Sequence, residues 1–387
     1  MDFRLTPQQA AFRDEVRAFL RETLPHVPED DLGEEGLGIG GWSPWFSKRL
    51  AERGWIALPW PKEYGGLGLA HIEQAIFNEE IAYHRAPAAA HRRGVFYVGP
   101  ILIRYGTEEQ RRVFLRQITA GGAFFCQGFS EPGAGSDLAS LQTRAVQDGD
   151  DFVINGQKIW TSDAHRADFC WLAARTDPEA PKHRGISNFI VDMHSAGVTV
   201  QPLTNMADGH FFNQVFFDNL RVPRENLVGE LHRGWYQTAT TLDFERSSIA
   251  SFAGVRRTLE EIIELARALP TRPPVSVRHM LIDLRTATET GTVMAYAVAS
   301  MQDRGLMPSK EASLLKVFSS ELQQRVAGAG MKVCGMHGQL APGTPHAPLM
   351  GRLERMYLGA VAATIGGGTS EIQRNVIATR GLGLPRN

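Results

Sequence analysis

The stretch AFFCQGFS, residues 123–130, is where the sequence changes from a helical pattern to a strand-like one. From there to NLVGE, residues 226–230, short β-branched and aromatic runs such as FVINGQKIW, GISNFIVDM and NQVFFDNLRV recur between turn residues. The pairs Asp148-Gly149 and Asn155-Gly156 are predicted to be turns between such runs. The pattern predicts a small β-domain over residues 122–232.

The segments on either side of this β-domain are predicted to be helical. Thr6 caps the first helix, Pro7 occupies its first turn, and Gln9 completes a capping box. Similar patterns, including one capped by Thr107, predict an N-terminal helical domain over residues 1–121. A long amphipathic run over residues 235–269 and further helices predict a C-terminal helical domain over residues 233–387. The fold class is therefore α+β and mostly α, and strands do not alternate with helices as in a doubly wound nucleotide fold.

Composition and charge exclude several classes of function. The chain has 387 residues, 43% hydrophobic and 21% charged, which is enough for a large core. Its formal net charge of -1 favours neither nucleic acid nor a membrane as a partner. Three cysteines without a C-x-x-C spacing indicate no disulfide framework and no metal site. Without an apolar segment of signal or spanning length, we expect a cytoplasmic protein.

Two segments carry groups suited to ligand binding. FSEPGAGSDL, residues 129–138, combines hydroxyls with bare backbone, as phosphate-binding loops do, although it is neither a P-loop nor a G-x-G-x-x-G. NGQKIWTSDA, residues 155–164, places an aromatic plane beside two hydroxyls, which suits a flat heterocycle. A strand-to-strand loop and a core tryptophan are the structural alternatives.

A third segment, TIGGGTSEIQR at residues 364–374, has three adjacent glycines before the start of a helix. The glycines could form a turn between two helices, with Thr369 or Ser370 as the cap. They could also let the backbone approach a bound molecule. The segment by itself leaves both interpretations open.

These three segments, together with GTEEQ...FLRQITAGG, RVPRENLVGE and LDFER, occur in the order and at the spacing seen in the acyl-CoA dehydrogenases. The sequence resembles that family over nearly its whole length. The resemblance implies a helical N-terminal domain, a central β-domain and a C-terminal four-helix bundle. It also implies FAD, dehydrogenation of an acyl-CoA thioester to the trans-2-enoyl-CoA, and electron-transfer flavoprotein as the acceptor. A homo- or hetero-oligomer, dimer or tetramer, is expected.

The resemblance implies roles for individual residues. Contacts with FAD are expected at Phe129, Ser130, Ser136, Trp160, Thr161, Ser162, Thr369 and Glu371, with Ser162 bonded to flavin N5. Contacts with the substrate are expected at Ser136, Asp243, Arg246 and Gly368, of which Asp243 and Arg246 match the pair that meets the CoA moiety.

Three departures from the family pattern stand out. Many members have Tyr-Glu-Gly-Thr where this chain has Gly366-Gly367-Gly368-Thr369, so the usual catalytic carboxylate is missing at Gly367. A glycine there keeps the N–H that the family uses to bind the thioester oxygen. The Arg-x-x-Phe-Gly segment is replaced by LPTRPPVSVRHML, residues 269–281, and the Gln-x-x-Gly-Gly element is weak at MKVCGMHG, residues 331–338.

The missing carboxylate allows several interpretations. The chain could be a non-catalytic partner subunit of a heteromeric enzyme. Alternatively, Glu245 could be the base, as in branches that resemble isovaleryl- and long-chain-acyl-CoA dehydrogenases; the 3-4-3 spacing of Leu242, Glu245, Ile249 and Phe252 puts it in an apolar helix stripe. For Glu245, the structural alternative is an ion pair with a nearby arginine. For the whole protein, a further alternative is an acyl-CoA oxidase-like or hydroxylating flavoenzyme.

The glycines also bear on the substrate. Gly366 and Gly367 remove two large side chains that the family usually carries. The pattern, with a base on the long helix, resembles actinobacterial enzymes that act on CoA thioesters of steroid side chains. We therefore expect a pocket suited to bulky or branched acyl groups.

Overall fold

The computed structural model of the chain describes residues 4–31, 41–238 and 248–385. Among these, the residues of Met1–Ser43, Leu69–Ala88 and Arg246–Asn387 form one compact unit, here called the helical unit. Those of Pro44–Gly68 and Ala89–Glu245 form a second, the sheet unit. The N-terminal helices are thus shared between both units. The three domain boundaries drawn from the sequence stay a prediction.

The helices named here are numbered in chain order. They are α1 (Pro7–Thr23), α2 (Pro44–Glu52), α3 (His71–Tyr83), α4 (Ala89–Arg93), α5 (Gly99–Tyr105), α6 (Glu108–Gln110), α7 (Arg116–Thr119), α8 (Ile249–Ala268), α9 (Val275–Asp303), α10 (Ser309–Cys334), α11 (Arg352–Ala363) and α12 (Ser370–Val376). Turns of π-helix follow α4, α6 and α12 at Gly94–Val98, Arg111–Leu115 and Ile377–Gly381. None of the described helices combines the length and apolar composition needed to cross a bilayer.

The capping box predicted at Thr6 and the cap predicted at Thr107 are confirmed. The hydroxyl of Thr6 accepts a hydrogen bond from the Gln9 N–H at 3.2 Å, and Gln9 Oε1 accepts one from the Thr6 N–H at 3.0 Å. Thr107 and Gln110 repeat the same two bonds at the start of α6. Each box satisfies backbone donors that a helix start leaves free, which is why these helices begin where the sequence predicts.

The long helical run predicted from residue 235 does not continue unbroken. Helix α8 begins at Ile249, and the preceding Ser248 has a left-handed backbone with φ 52°. A left-handed residue interrupts a right-handed helix, so α8 does not continue back through Ser248. Ile249 and Phe252 themselves are buried. Residues 239–247 lie outside the described residues.

The helical unit packs α8 to α11 around a common apolar core, with α3 against α8. Phe252 lies at the centre of this core, and α9 passes so close that a Cβ added at Gly291 would overlap its ring. A buried carboxylate also joins the helices: Glu79 of α3 accepts hydrogen bonds from Arg13 at 2.8 Å, Arg256 at 2.9 Å and the Tyr296 hydroxyl at 2.5 Å. Helices α1, α3, α8 and α9 are held in register by this one group.

The sheet unit contains one mixed sheet. Its strands are β1 (Phe125–Gly128), β2 (Arg144–Asp148), β3 (Asp151–Lys158), β4 (Phe169–Arg175), β5 (Ile186–Asp192), β6 (Val198–Leu203), β7 (Phe212–Pro223) and β8 (Leu227–Val228). The strand order is β6-β7-β3-β2-β4-β5-β8, and β1 pairs with β4 in parallel. The ends of β1 and β3 carry the two binding segments singled out in the sequence.

The two predicted turn pairs have different outcomes. Asp148-Gly149 lies in the hairpin between β2 and β3, as predicted, and Gly149 has φ 63°. Asn155-Gly156 is not a turn: it lies inside β3, where the pairing with β7 shifts between Ile154 and Gly156. Bulges and turns favour the same residues, so the pair misled the sequence interpretation. Gly156 has φ 151°, and a Cβ there would lie 2.6 Å from Thr143 Oγ1.

The close approach at Gly291 yields a stability prediction. Gly291→Ala should lower the free energy of unfolding by about 1–3 kcal/mol, because the new methyl overpacks against Phe252. The matched control is Gly328→Ala in α10, where an added Cβ meets no atom within 4 Å in the described part of the chain. That control should raise stability by about 0.5–1 kcal/mol, since alanine favours the helix. Urea unfolding measures both, and equal effects of the two variants would contradict the packing described.

Candidate functional site

The two binding segments of the sheet unit lie side by side. Ser130 follows the end of β1, and Trp160 follows the end of β3. The backbone N–H of Ile159 donates to the carbonyl oxygen of Ser130 at 2.9 Å. The predicted flavin contacts Phe129, Ser130 and Trp160–Ser162 are therefore brought together in one place.

Lys158 anchors this place, and the sequence interpretation did not single it out. Its Nζ is fully buried and donates to the Phe129 carbonyl at 3.0 Å and to Glu131 Oε1 at 2.8 Å. Glu131 also accepts hydrogen bonds from the N–H groups of Gln142 at 2.5 Å and Thr143 at 2.8 Å. The start of the loop is thus fastened to the end of β3. A lysine two residues after the bulge glycine was the available signal.

The charges of this pair are set by burial and by each other. Burial raises the pKa of Glu131, but Lys158 and the hydrogen bonds from Gln142 and Thr143 outweigh it, so the pKa lies below its ordinary value. Burial lowers the pKa of Lys158, which Glu131 only partly offsets. Both groups are assigned as ionised at neutral pH, because each is the partner that the other requires.

The segment after β3 has features that fit a flat ligand. The Trp160 ring is 56% exposed and meets Phe212 edge-on at 5.8 Å, and its backbone is left-handed with φ 60°. A bulky residue in that conformation is strained. Beside it, the Thr161 hydroxyl is buried and has no hydrogen-bond partner among the described residues. Buried polar atoms require a partner. An exposed ring next to an unsatisfied hydroxyl fits the isoalloxazine of FAD.

The rest of the loop offers open backbone. A Cβ added at Gly133 or Gly135 would meet no atom within 4 Å in the described ranges, and Ser136 is exposed. Asp137 pairs with Lys182 at 2.8 Å on the surface. The loop therefore presents unobstructed backbone, as phosphate-binding loops do, and the dual role of Ser136 toward flavin and substrate stays a prediction.

In the helical unit, the three glycines form the turn between α11 and α12. Gly367 and Gly368 have φ 66° and 87°, and the Gln373 amide donates to the Gly367 carbonyl at 3.0 Å. A Cβ at Gly368 would lie 2.5 Å from Gln373 Nε2, whereas one at Gly367 would meet no described atom within 4 Å. The turn considered from the sequence is confirmed, and the approach of this bare backbone to a bound molecule stays a prediction.

The residues after the turn are placed as follows. Thr369 caps α12, since its hydroxyl accepts a hydrogen bond from the Ile372 N–H at 3.2 Å. Glu371 is exposed, and hydrogen bonds from its own backbone N–H and from Thr369 lower its pKa. Gln373 is buried, and the sequence interpretation missed it because only the folded turn shows what its amide holds. The roles of Thr369, Glu371 and Gly368 stay predictions.

Three predicted site residues fall between residues 239 and 247. Asp243, Glu245 and Arg246 lie outside the described residues. Their roles toward the CoA moiety and the substrate α-proton stay predictions.

The comparison with protein families agrees with this site. Family models of the acyl-CoA dehydrogenase N-terminal, middle and C-terminal domains match residues 6–122, 126–220 and 232–382. The fold and the three matched domains are those of a FAD-dependent oxidoreductase acting on CH–CH bonds. The chain belongs to the acyl-CoA dehydrogenase family. This confirms the predicted family, FAD as the cofactor, and the α+β fold with helical, β and helical domains.

The chain is similar over its whole length to individual acyl-CoA dehydrogenases and to solved structures of the family. Acyl-CoA dehydrogenase FadE26 of Mycobacterium tuberculosis is 39% identical over 396 aligned residues, covering 98% of each chain. The solved structure "Tcur3481-Tcur3483 steroid ACAD" matches with a TM-score of 0.91 at 36% identity, covering 100% of both chains. The ChsE4-ChsE5 complex from Mycobacterium tuberculosis matches with a TM-score of 0.87 at 38% identity, also covering 100% of both.

The buried pair at the flavin segment yields a prediction. Lys158→Met should destabilise the protein by about 3–5 kcal/mol at neutral pH, because it leaves the Glu131 carboxylate buried without its partner. Lys182→Met, which breaks the exposed pair with Asp137, should cost about 0–1 kcal/mol. Chemical denaturation at several pH values measures both variants.

The pH dependence has a definite sign. In the parent the pKa of Glu131 is lowered, so its contribution is present above the ordinary pKa of 4.5 and is lost as the pH falls through the folded value. In Lys158→Met the pKa is raised, so protonation relieves the penalty, and the stability gap to the parent narrows as the pH falls from 7. The assigned ion pair would be refuted if the stability difference between the parent and Lys158→Met did not narrow as the pH falls. It would also be refuted if Lys158→Met lost no more stability than Lys182→Met.

Proposed function

We propose that this chain dehydrogenates a bulky acyl-CoA thioester, such as one carrying a steroid side chain, at its α,β bond and passes the electrons to electron-transfer flavoprotein. The observation that carries the proposal is the glycine turn. Gly366 and Gly367 leave open space next to a backbone N–H where most of the family carries Tyr and Glu. Within the family shown above, that departure changes both the location of the base and the size of acyl group admitted.

FAD, when bound, accepts the hydride from the substrate's β-carbon. In this proposal the residues that hold it are Ser130, Trp160, Thr161 and Ser162. The Trp160 ring supplies a stacking face, and the unsatisfied Thr161 hydroxyl supplies a hydrogen bond that burial makes valuable. The open backbone after Ser130 suits the diphosphate.

The proposed base is Glu245, which takes the proton from the substrate's α-carbon. Charge then develops on the thioester oxygen, and a preorganised donor at that atom lowers the barrier. We assign this donor to the N–H of Gly367, which a glycine keeps while it removes the usual carboxylate.

The size of the acyl group is inferred from the turn and from the relatives. Gly366 has an ordinary backbone conformation, and a Cβ there would contact only the Ala362 carbonyl, at 3.7 Å, among described atoms. Larger side chains are thus sterically possible at this position but absent. One related structure is described as a steroid enzyme, which supports a large acyl group here.

A hetero-oligomer is the proposed assembly. A related structure is described as a complex of two proteins, ChsE4 and ChsE5. The replaced LPTRPPVSVRHML segment is consistent with a neighbour that differs from this chain. The non-catalytic subunit remains the alternative if Glu245 proves inert. Reoxidation of the reduced protein by electron-transfer flavoprotein, and not by air, distinguishes the dehydrogenase from the oxidase alternative.

The base assignment is tested by substitution. Glu245→Gln should slow flavin reduction by about 10²–10⁴-fold, the usual contribution of a general base, while FAD content and CoA-ester binding stay near the parent's. Rapid-mixing absorbance under anaerobic conditions measures the rate. Glu264→Gln, which alters an exposed carboxylate on α8, is the matched control and should behave as the parent.

A second substitution sharpens this test. Gly367→Glu in the Glu245→Gln background should restore part of the rate with slim acyl chains, because there is space for the carboxylate. Its left-handed backbone keeps the recovery partial. If Glu245→Gln reduces its flavin as fast as the parent, the base lies elsewhere and the partner-subunit alternative gains support.

The acyl pocket is tested at Gly366. Gly366→Tyr should lower kcat/KM for a steroid side-chain CoA ester by about 10-fold or more, since a pocket contact of methylene size is worth 10–200-fold. The same variant should leave butyryl-CoA turnover within about threefold of the parent. Steady-state kinetics with butyryl-, octanoyl- and steroid side-chain esters decide it. A parent that prefers butyryl-CoA would refute the bulky-substrate proposal.

A further inference from the structure

One buried residue holds both backbone groups of Thr161, one through its own backbone and the other through its side chain. Asn213, near the start of β7, is fully buried. Its backbone carbonyl oxygen accepts a hydrogen bond from the Thr161 N–H at 3.0 Å, and its side-chain Nδ2 donates to the Thr161 carbonyl at 3.0 Å. The Asp163 N–H also donates to the Phe211 carbonyl at 3.0 Å. The backbone of Thr161 is thus fully used by Asn213, and only its hydroxyl is left for another partner.

The Thr161 carbonyl, which only accepts, fixes the orientation of the Asn213 amide, and two histidines hydrogen-bond the amide in that orientation. His210 Nε2 lies 2.8 Å from Asn213 Oδ1, and His165 Nδ1 lies 3.1 Å from Asn213 Nδ2. The imidazole rings stack at 4.1 Å with an interplanar angle of 22°. Because Nδ2 can only donate, His165 Nδ1 must accept, which assigns its proton to Nε2; His210 donates from Nε2. The reversed amide would place its oxygen against the Thr161 carbonyl oxygen. It is excluded because both atoms only accept hydrogen bonds.

The electrostatics favour the neutral form of His165 that this arrangement requires. Burial, the neighbouring His210 and Arg166 lower the pKa of His165, and Asp163 and the bond to Asn213 oppose this only in part. Asp163 is itself paired with Arg93 at 2.7 Å. His165 and His210 line a cavity together with His194, which pairs with Asp192 at 3.2 Å. The orientation of the amide is therefore stable at neutral pH.

The two hydrogen bonds between Asn213 and Thr161 lie directly next to the strained Trp160. Trp160 has a left-handed backbone, and its neighbours on both sides are fixed: Ile159 by Ser130, and Thr161 by Asn213. A strained conformation persists only where the surroundings hold it. Phe212, adjacent to Asn213, also meets the Trp160 ring.

We infer that Asn213, hydrogen-bonded by His165 and His210, is a positioning residue that holds the Thr161 peptide so that the Trp160 ring and the Thr161 hydroxyl are presented to the flavin. The inference rests on the proposed contact of Trp160–Ser162 with FAD. It adds to that contact a residue that does not touch the cofactor and acts only through Thr161.

The test compares two equally buried asparagines of the same sheet. Asn213→Leu should weaken FAD binding by about tenfold or more, the effect of losing a buried hydrogen bond, and should shift the flavin's visible spectrum and midpoint potential. The control is Asn188→Leu on β5, whose Nδ2 donates to the Gly234 carbonyl at 3.0 Å. It removes a similar bond elsewhere, so it should lower stability yet leave the flavin spectrum and FAD affinity at the parent's values.

Two further variants keep the outcomes separate. His210 is exposed, so His210→Ala should fold. It should shift the flavin spectrum in the same direction as Asn213→Leu, but by less. If Asn213→Leu does not fold, His210→Ala takes its place as the test of the positioning role. Thr161→Val removes only the hydroxyl. If Thr161→Val leaves FAD binding unchanged, the proposed flavin contact is wrong. Suppose instead that Thr161→Val weakens FAD binding. The positioning role is then overturned if Asn213→Leu, or His210→Ala in its place, keeps the parent's flavin spectrum and FAD affinity.

Discussion

The buried ion pair between Lys158 and Glu131 is the constraint on which the candidate site depends. An ammonium group removed from water is stable only with a partner and further hydrogen bonds, and Lys158 finds them in Glu131 and the Phe129 carbonyl. The pair joins the end of β3 to the loop after β1, while Glu131 reaches on to Gln142 and Thr143 before β2. Three separate stretches of chain thus meet at one point, and the flavin segment begins directly after it.

Around that point the sheet unit combines fixed backbone with unsatisfied side chains. Ser130 and Asn213 hold the peptide groups of Ile159 and Thr161, whereas the Trp160 ring is exposed and the Thr161 hydroxyl lacks a partner among described residues. Such a division is typical of a preorganised site, because the backbone is held by the protein and the free groups are left for the ligand. The glycine turn of the helical unit shows the same division: Gln373 holds the Gly367 carbonyl, and the position itself is bare.

Several features followed from the sequence because their causes are local. The capping boxes at Thr6 and Thr107 depend on residues three apart, and the Asp148-Gly149 hairpin depends on a positive φ at one glycine. The order of helical and strand-like segments indicated the fold, and six ordered motifs indicated the family and its cofactor. The candidate contacts at Ser130, Trp160 and Thr161 were also predicted in this way, because a family motif preserves the residue types that its ligand needs, and they stay predictions.

What only the tertiary structure decided are the contacts between residues distant in sequence. A lysine, an asparagine and a glutamine look like ordinary polar residues until folding places Lys158 on Glu131, Asn213 on Thr161 and Gln373 on Gly367. The same limit explains the errors: Asn155-Gly156 is a bulge because β7 pairs across it, and α8 begins at Ile249 because Ser248 is left-handed. Sequence by itself therefore determined the elements, the family and the chemistry to look for. The partners of each buried polar group were decided by the fold, since burial is a property of the packed chain.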